Sequence, residues 1–207
     1  MKYIFVAGTP GSKWSSVTKN IYYSPDIDRS DYSDARTYYH SAPGTMQLMH
    51  MGAYFDPGME FALPANMSTL TRKQAEVIFD SPFSGGGIRI IKSHIFSSRD
   101  NIDYLKELWP DCPVVLVHRP DDACLGWWVK CGHFNITYPD YAEYYKDLAT
   151  MATIIQTQNA GILSATNKYA ALETTNNQML CNILGITPPP AEYFQDYQSA
   201  DISVTII

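Results

Sequence analysis

The chain has 207 residues, 45% of them hydrophobic and 17% charged, which fits one ordinary α/β domain with a sizeable core and not a disordered or fibrous protein. A net charge of −6 with no run of lysine or arginine argues against broad electrostatic binding to nucleic acid or to an anionic membrane, so an anionic ligand has to be held locally by a few cations and backbone N–H groups. Cys112, Cys124, Cys131 and Cys181 form no C-x-x-C pair, and no apolar run is long enough for a signal peptide or a membrane span; the expectation is a cytoplasmic protein with free thiols and no zinc.

In chain order, Lys2 to Gly8 is an apolar, β-prone run ending in glycine and proline, which predicts a buried strand and a turn, and Lys13 to Tyr23 predicts a helix. The stretch from Ser24 to Asn66 has little periodicity, several tyrosines and, counting Met67 just past its end, five of the eight methionines (Met46, Met49, Met51, Met59, Met67). Such an insertion, at about 24–70, predicts a lid or an acceptor-binding surface. Thr71 to Asp80 has helical composition, and Ile88 to Ile91 reads as a second strand. Ser98 to Leu108 opens on a capping serine, sets Ile102, Leu105 and Leu108 on one side, and is closed by Pro110. Pro113 to Val117 is a third short β-branched run. A helical pattern runs from about Pro139 to Gln158, and another from Thr175 to Leu184 ends at Gly185, a C-cap glycine. Continuously apolar strands alternating with helices predict an α/β fold of three layers, α/β/α, with a mostly parallel central sheet and a ligand site beyond the strands' carboxyl ends.

Three segments carry chemistry. The first, GTPGSKWSS from Gly8 to Ser16, joins strand to helix; its glycines let the backbone approach a ligand, and Lys13, Ser15 and Ser16 add charge and hydroxyl donors, although an ordinary strand-to-helix turn is the plain alternative. Laid over Lys13, the nucleotide-binding pattern G-x-x-x-x-G-K-[ST] fails at Ala7, Ser12 and Trp14, so magnesium-dependent ATP or GTP hydrolysis is weakened. The second, GIRIIKSHIF from Gly87 to Phe96, brings Lys92 and His94 to a strand's end on one face, a cation and a base suited to transfer onto a hydroxyl, against the alternative of a surface lysine and a structural histidine. The third, PVVLVHRPDDACLGWW from Pro113 to Trp128, puts Arg119 where a strand opens, either to fork a phosphate or to pair with Asp121 or Asp122.

Together these segments resemble the sulfotransferase family of the cytosolic type, which uses 3′-phosphoadenosine 5′-phosphosulfate (PAPS). GTPGSKWSS resembles the family's P-K-S-G-T-T-W with Pro10 and Ser12 aligned, and RIIKSH, Arg89 to His94, is similar to R-I-I-K-T-H, whose histidine is the catalytic base and whose lysine contacts the transferred group. VVLVHRPDDACLGWW resembles V-x-x-x-R-N-P-K-D-x-x-x-S-x-x, and Tyr169 to Leu172 with NILGI, Asn182 to Ile186, looks like the family's Y-E-D-L and F-L-G elements. Departures accompany the likeness. The family's loop lysine falls on Gly11, with Lys13 the nearest substitute; aligning on proline puts His118 at the family's arginine and Gly126 at its serine, with Arg119 one place out of register; and no R-K-G element stands near the carboxyl end.

What the resemblance implies is a metal-free, in-line transfer of a sulfuryl group from PAPS to a hydroxyl or amine acceptor, leaving 3′-phosphoadenosine 5′-phosphate (PAP). His94, Lys92 and Lys13 would be catalytic. Pro10, Gly11, Ser12, Lys13, Trp14, Ser15, Ser16, Arg119 and Tyr169 would bind the donor, Arg119 at its 3′-phosphate. A histidine base near its ordinary pKa of about 6.5 makes activity rise through neutral pH. The acceptor would be a small molecule, apolar or ring-bearing, met by the Tyr- and Met-rich insertion with Trp127, Trp128 and Phe134. A P-loop nucleotide kinase or related phosphotransferase, and a non-catalytic relative of the fold, are the two rival readings.

Overall fold

The computed structural model describes residues 1–32, 39–42, 45–48, 53–57, 61–130, 146–194 and 201–207, of which 39–42 and 45–48 are described by their backbone. Strand β1, Tyr3–Gly8, is the apolar run that opens the chain, and all of its residues are buried, as befits a strand covered on both faces. It lies between β4, Arg89–Lys92, and β5, Val114–His118, parallel to both. Beyond β5 come β7, Ser203–Ile206, and then β6, Leu172–Thr174, giving the order β4-β1-β5-β7-β6. A separate antiparallel hairpin is formed by β2, Tyr39–Ala42, and β3, Thr45–Leu48.

The fold is α/β, but the expectation of a mostly parallel sheet is corrected. β7 runs antiparallel to both β5 and β6, so the five-stranded sheet is mixed, with two parallel and two antiparallel pairings. The sequence Ser-Val-Thr-Ile alternates polar with apolar, unlike the continuous apolar run of a parallel strand, although Val204, Thr205 and Ile206 are all buried.

Six helices are described: α1, Trp14–Tyr22; α2, Arg72–Asp80; α3, Arg99–Leu108; α4, Asp121–Lys130; α5, Leu148–Lys168; and α6, Asn177–Leu184. Local chemistry sets their limits. Thr71 and Gln74 close a capping box on α2, the Ser98 hydroxyl accepts from Asn101 N at the start of α3, and Gly185 ends α6 in the left-handed conformation. No helix among the described residues is long and apolar enough to cross a membrane.

Alternate residues of β1 feed two cores. Ile4 and Val6 meet Val17 and Ile21 of α1, Cys124 and Trp128 of α4, and Leu180 of α6. Tyr3, Phe5 and Ala7 meet Phe79 of α2 and Ile102 and Leu105 of α3. Phe5 stands 5.6 Å from Phe79 and 5.8 Å from Phe96, the latter edge to face. The expected insertion is not a detached flap where it is described: Asp28, Asp31, Ala53, Tyr54, Phe55, Asp56, Leu63 and Met67 are all buried, Ile27 bridges to Ile88, and Tyr54 bridges to Lys92 at the end of β4. Met49, Met51 and Met59 lie outside the described residues.

Candidate functional site

Parallel pairing decides where chemistry can gather. Val6 is in register with Lys92, and Gly8 with Val117, so the carboxyl ends of β4, β1 and β5 open at one rim and the three motif segments leave the sheet side by side.

At the centre of that rim is the turn after β1. Ser12 N donates to Thr9 O at 3.0 Å; Gly11 takes φ 80° and Lys13 φ 60°, both left-handed. The lysine's conformation costs about 1–2 kcal/mol and starts α1. Gly11 lies directly on the first turns of α4: a Cβ added there would collide with the backbone carbonyl of Cys124 and stand 2.7 Å from its carbon. Arg119 Nη1 ties the same junction, donating to Gly11 O at 3.1 Å and to Ala123 O at 3.0 Å, and Asn159 Nδ2 of α5 donates to Arg119 O at 2.8 Å. Lys13 Nζ sits 4.3 Å from the centre of the Trp127 ring. Pro10 and Ser12 are buried within the turn, and Ser15 and Ser16 are half-buried in the first turn of α1. Ser12 Oγ is buried and has no hydrogen-bond partner among the described residues.

His94 meets this turn directly. After Lys92 the chain enters a 3-10 turn, His94–Ser97, shaped by the buried carboxylate of Asp56, which accepts from Ser93 Oγ at 2.9 Å, Ile95 N at 3.3 Å and Tyr54 Oη at 2.8 Å. The imidazole's Nδ1 is 2.5 Å from Gly8 O, and the ring stacks on Trp14 with centroids 4.2 Å apart and meets Tyr54 edge to face. A carbonyl can only accept, so Nδ1 carries the proton and Nε2 keeps its lone pair, the form a general base requires. Burial lowers the imidazole pKa to about 3, with Lys92 adding to that fall and the Gly8 bond opposing it.

Lys92 is buried as well, and burial lowers its pKa to about 7, opposed by the Asp31 carboxylate and assisted by Lys19. Asp31 is itself raised by burial, against the pull of Ala53 N–H, Lys92 and Tyr22. His94 and Lys92 thus differ from the sequence expectation in one respect. The imidazole is free of its proton across the physiological range, and the group that titrates near neutrality is the lysine.

The other expected residues divide. Trp14 joins the site as the plate under His94, while Trp128 is core. Tyr169 is brought elsewhere: its hydroxyl donates to Asp103 Oδ1 of α3 at 2.6 Å, and its ring packs with the Tyr3–Phe5 core, whereas Trp14 packs on the opposite core. Phe134 lies outside the described residues. Sequence reasoning missed Tyr54, Asp56 and Asp31, which no local motif marks. It also missed the course of α5, which begins at Leu148 behind the Asp147 cap and continues past Gln158 to Lys168; Gly161 stands where α5 crosses the 3-10 turn, and a Cβ there would strike Ser97 O and come 2.9 Å from Arg99 N. Among the described residues no group of three His, Cys, Asp or Glu is placed to hold a metal ion. Comparison of the chain with protein-family models, with curated proteins and with solved structures finds no match.

Proposed function

We propose that the chain is a sulfotransferase built on a three-layer, P-loop-like arrangement, transferring a sulfuryl group from PAPS to a hydroxyl or amine. The observation that carries this reading is the 2.5 Å approach of His94 Nδ1 to Gly8 O, which joins the base to the first residue of the anion-binding turn. Ser12 supports it, because a buried hydroxyl without a partner among the described residues suits a bound anion. PAPS supplies the electrophilic sulfur and PAP is what leaves. On the protein side, the turn's amides with Ser12, Ser15, Ser16 and Lys13 hold the 5′ end, Arg119 keeps the turn fixed against α4 beside it, His94 Nε2 accepts the acceptor's proton, and the Lys92 cation balances charge on the moving group.

The electrostatics reverse the expected pH profile. With the imidazole pKa at about 3, acidification to pH 5 leaves it unprotonated; with Lys92 at about 7, raising the pH removes its charge. Activity is therefore expected to hold from about pH 5 to 6.5 and to fall above about 7. A kcat/KM profile that rises through pH 6.5 contradicts the lowered imidazole pKa, and one that stays flat above pH 7 removes Lys92 from its assigned role. Among the groups that act on Lys92 in this prediction are Asp31, Lys19 and His94.

A second reading, a non-catalytic relative, draws on the closed packing of the turn: Gly11 against Cys124, Lys13 over Trp127, and His94 4% exposed under Trp14 and Tyr54. Thermal melting separates the two. PAP at a hundred times its dissociation constant raises stability by about 2.7 kcal/mol, whereas a non-catalytic relative gains nothing. Lys13→Ala is expected to lose most of that stabilisation. Stabilisation by ATP with magnesium and not by PAP would replace both readings with a phosphotransferase.

A further inference from the structure

The proposed transfer leaves one buried charge beside the site without a task, Asp31. It belongs to the stretch expected to form a lid, yet it is 2% exposed, and its carboxylate ties two separate parts of the chain. Oδ1 accepts from Tyr22 Oη, on the last residue of α1, at 3.2 Å, and Oδ2 accepts from Ala53 N at 2.6 Å. Ala53 leads into Tyr54, which bridges in parallel to Lys92, and Phe55 N donates to Lys92 O at 3.1 Å. Residues 53–55 therefore run along the end of β4, and the side chain that fastens their first amide is Asp31. Tyr54, placed in this way, meets the His94 ring edge to face.

A buried carboxylate is costly unless a positive charge answers it, and both of these hydrogen bonds come from neutral donors. The cation that acts on Asp31 is Lys92, and Asp31 in turn opposes the effect of burial on Lys92. The other titratable groups that act on this set are Lys19 of α1, Tyr23 and Arg29 just after it, and His94 beyond β4, while Asp56 binds Ser93 and Ile95 next along the chain.

We propose that Asp31 is a positioning residue of the candidate site, its carboxylate pinning residues 53–55 to the end of β4 and holding Lys92 in its cationic form. The pinning is independent of the proposed transfer; the charge on Lys92 serves that transfer, and this half rests on it.

The test is NMR titration and amide exchange of the nucleotide-free protein. Asp31→Asn keeps an oxygen for Ala53 N and removes the charge. The Lys92 Cε signal, assigned by its absence in Lys92→Met, is expected to report a proton affinity about tenfold lower in Asp31→Asn than in wild type. Coupling between two sites is reciprocal, so Lys92→Met is expected to raise the proton affinity of the Asp31 carboxyl, read at Cγ, by a similar factor. An unchanged midpoint in either folded variant overturns the charge role. Asp31→Ala removes the acceptor as well, and exchange of the Ala53 and Phe55 amides is expected to quicken about tenfold or more beyond that in Asp31→Asn, with the amides of β1 unchanged. Equal exchange in the alanine and asparagine variants overturns the pinning. None of these measurements uses turnover or PAP, so the role of Asp31 and the transfer fail separately.

Discussion

Gly11→Ala is expected to lower the melting temperature by about 6–12 °C, the largest stability loss of any single methyl addition to the turn. The left-handed φ of 80° adds about 1–2 kcal/mol for any residue with a Cβ. The new carbon also collides with the Cys124 carbonyl, which belongs to the backbone of α4 and cannot rotate away, and relief of such overpacking costs about 1–3 kcal/mol more. Together that is about 3 kcal/mol, and a chain of this size loses roughly 2–4 °C for each. The sulfotransferase pattern places a lysine here, so Gly11→Lys, which restores the motif on paper, is expected to be as harmful. Calorimetric melting of either variant at the wild-type temperature would mean that the turn does not rest on α4.

His94→Ala is expected to reduce turnover by about 10²- to 10⁴-fold, the usual worth of a general base, with PAP affinity retained. Alanine also strips Gly8 O of its partner and empties the space under Trp14, so lost activity could report lost packing. His94→Asn separates the effects. Its amide N–H can reach Gly8 O as Nδ1 does, but it offers no imidazole lone pair. The asparagine variant is expected to melt within a few degrees of wild type and to be as inactive as alanine. Normal turnover in a folded His94→Asn would exclude the imidazole as the base, whatever else the chain does.

Much of the fold is written locally. The strands at Tyr3–Gly8, Arg89–Lys92 and Val114–His118 follow from short apolar runs between turn residues, and α2, α3 and α6 from their caps at Thr71, Ser98 and Gly185. β7 escaped because a search for continuously apolar strands passes over Ser-Val-Thr-Ile, and β6 because three residues carry no period. In the site, the meeting of the Gly8 turn with His94 was legible, since two strands that end in chemistry and lie parallel must deliver it to one rim. The surroundings were not. From an aperiodic stretch Tyr54 packs on His94 and Asp56 binds its neighbours Ser93 and Ile95, and the fall in the imidazole's proton affinity is a matter of burial, which residue type does not encode. Arg119 shows the same limit: its sequence position suggests a phosphate, while its Nη1 holds the carbonyls of Gly11 and Ala123.

The place of β7 bears on how the chain comes to be folded. β7 follows every other strand of the sheet in the chain, yet it is interior to the sheet, between β5 and β6. Until it is made, one side of β5 has no ladder partner, and Val-Val-Leu-Val is the kind of bare apolar edge that invites pairing with another chain. β1 and β4 can assemble earlier, during synthesis, and with them the contact between His94 and Gly8. Removal of residues 201–207 should therefore yield a protein that aggregates.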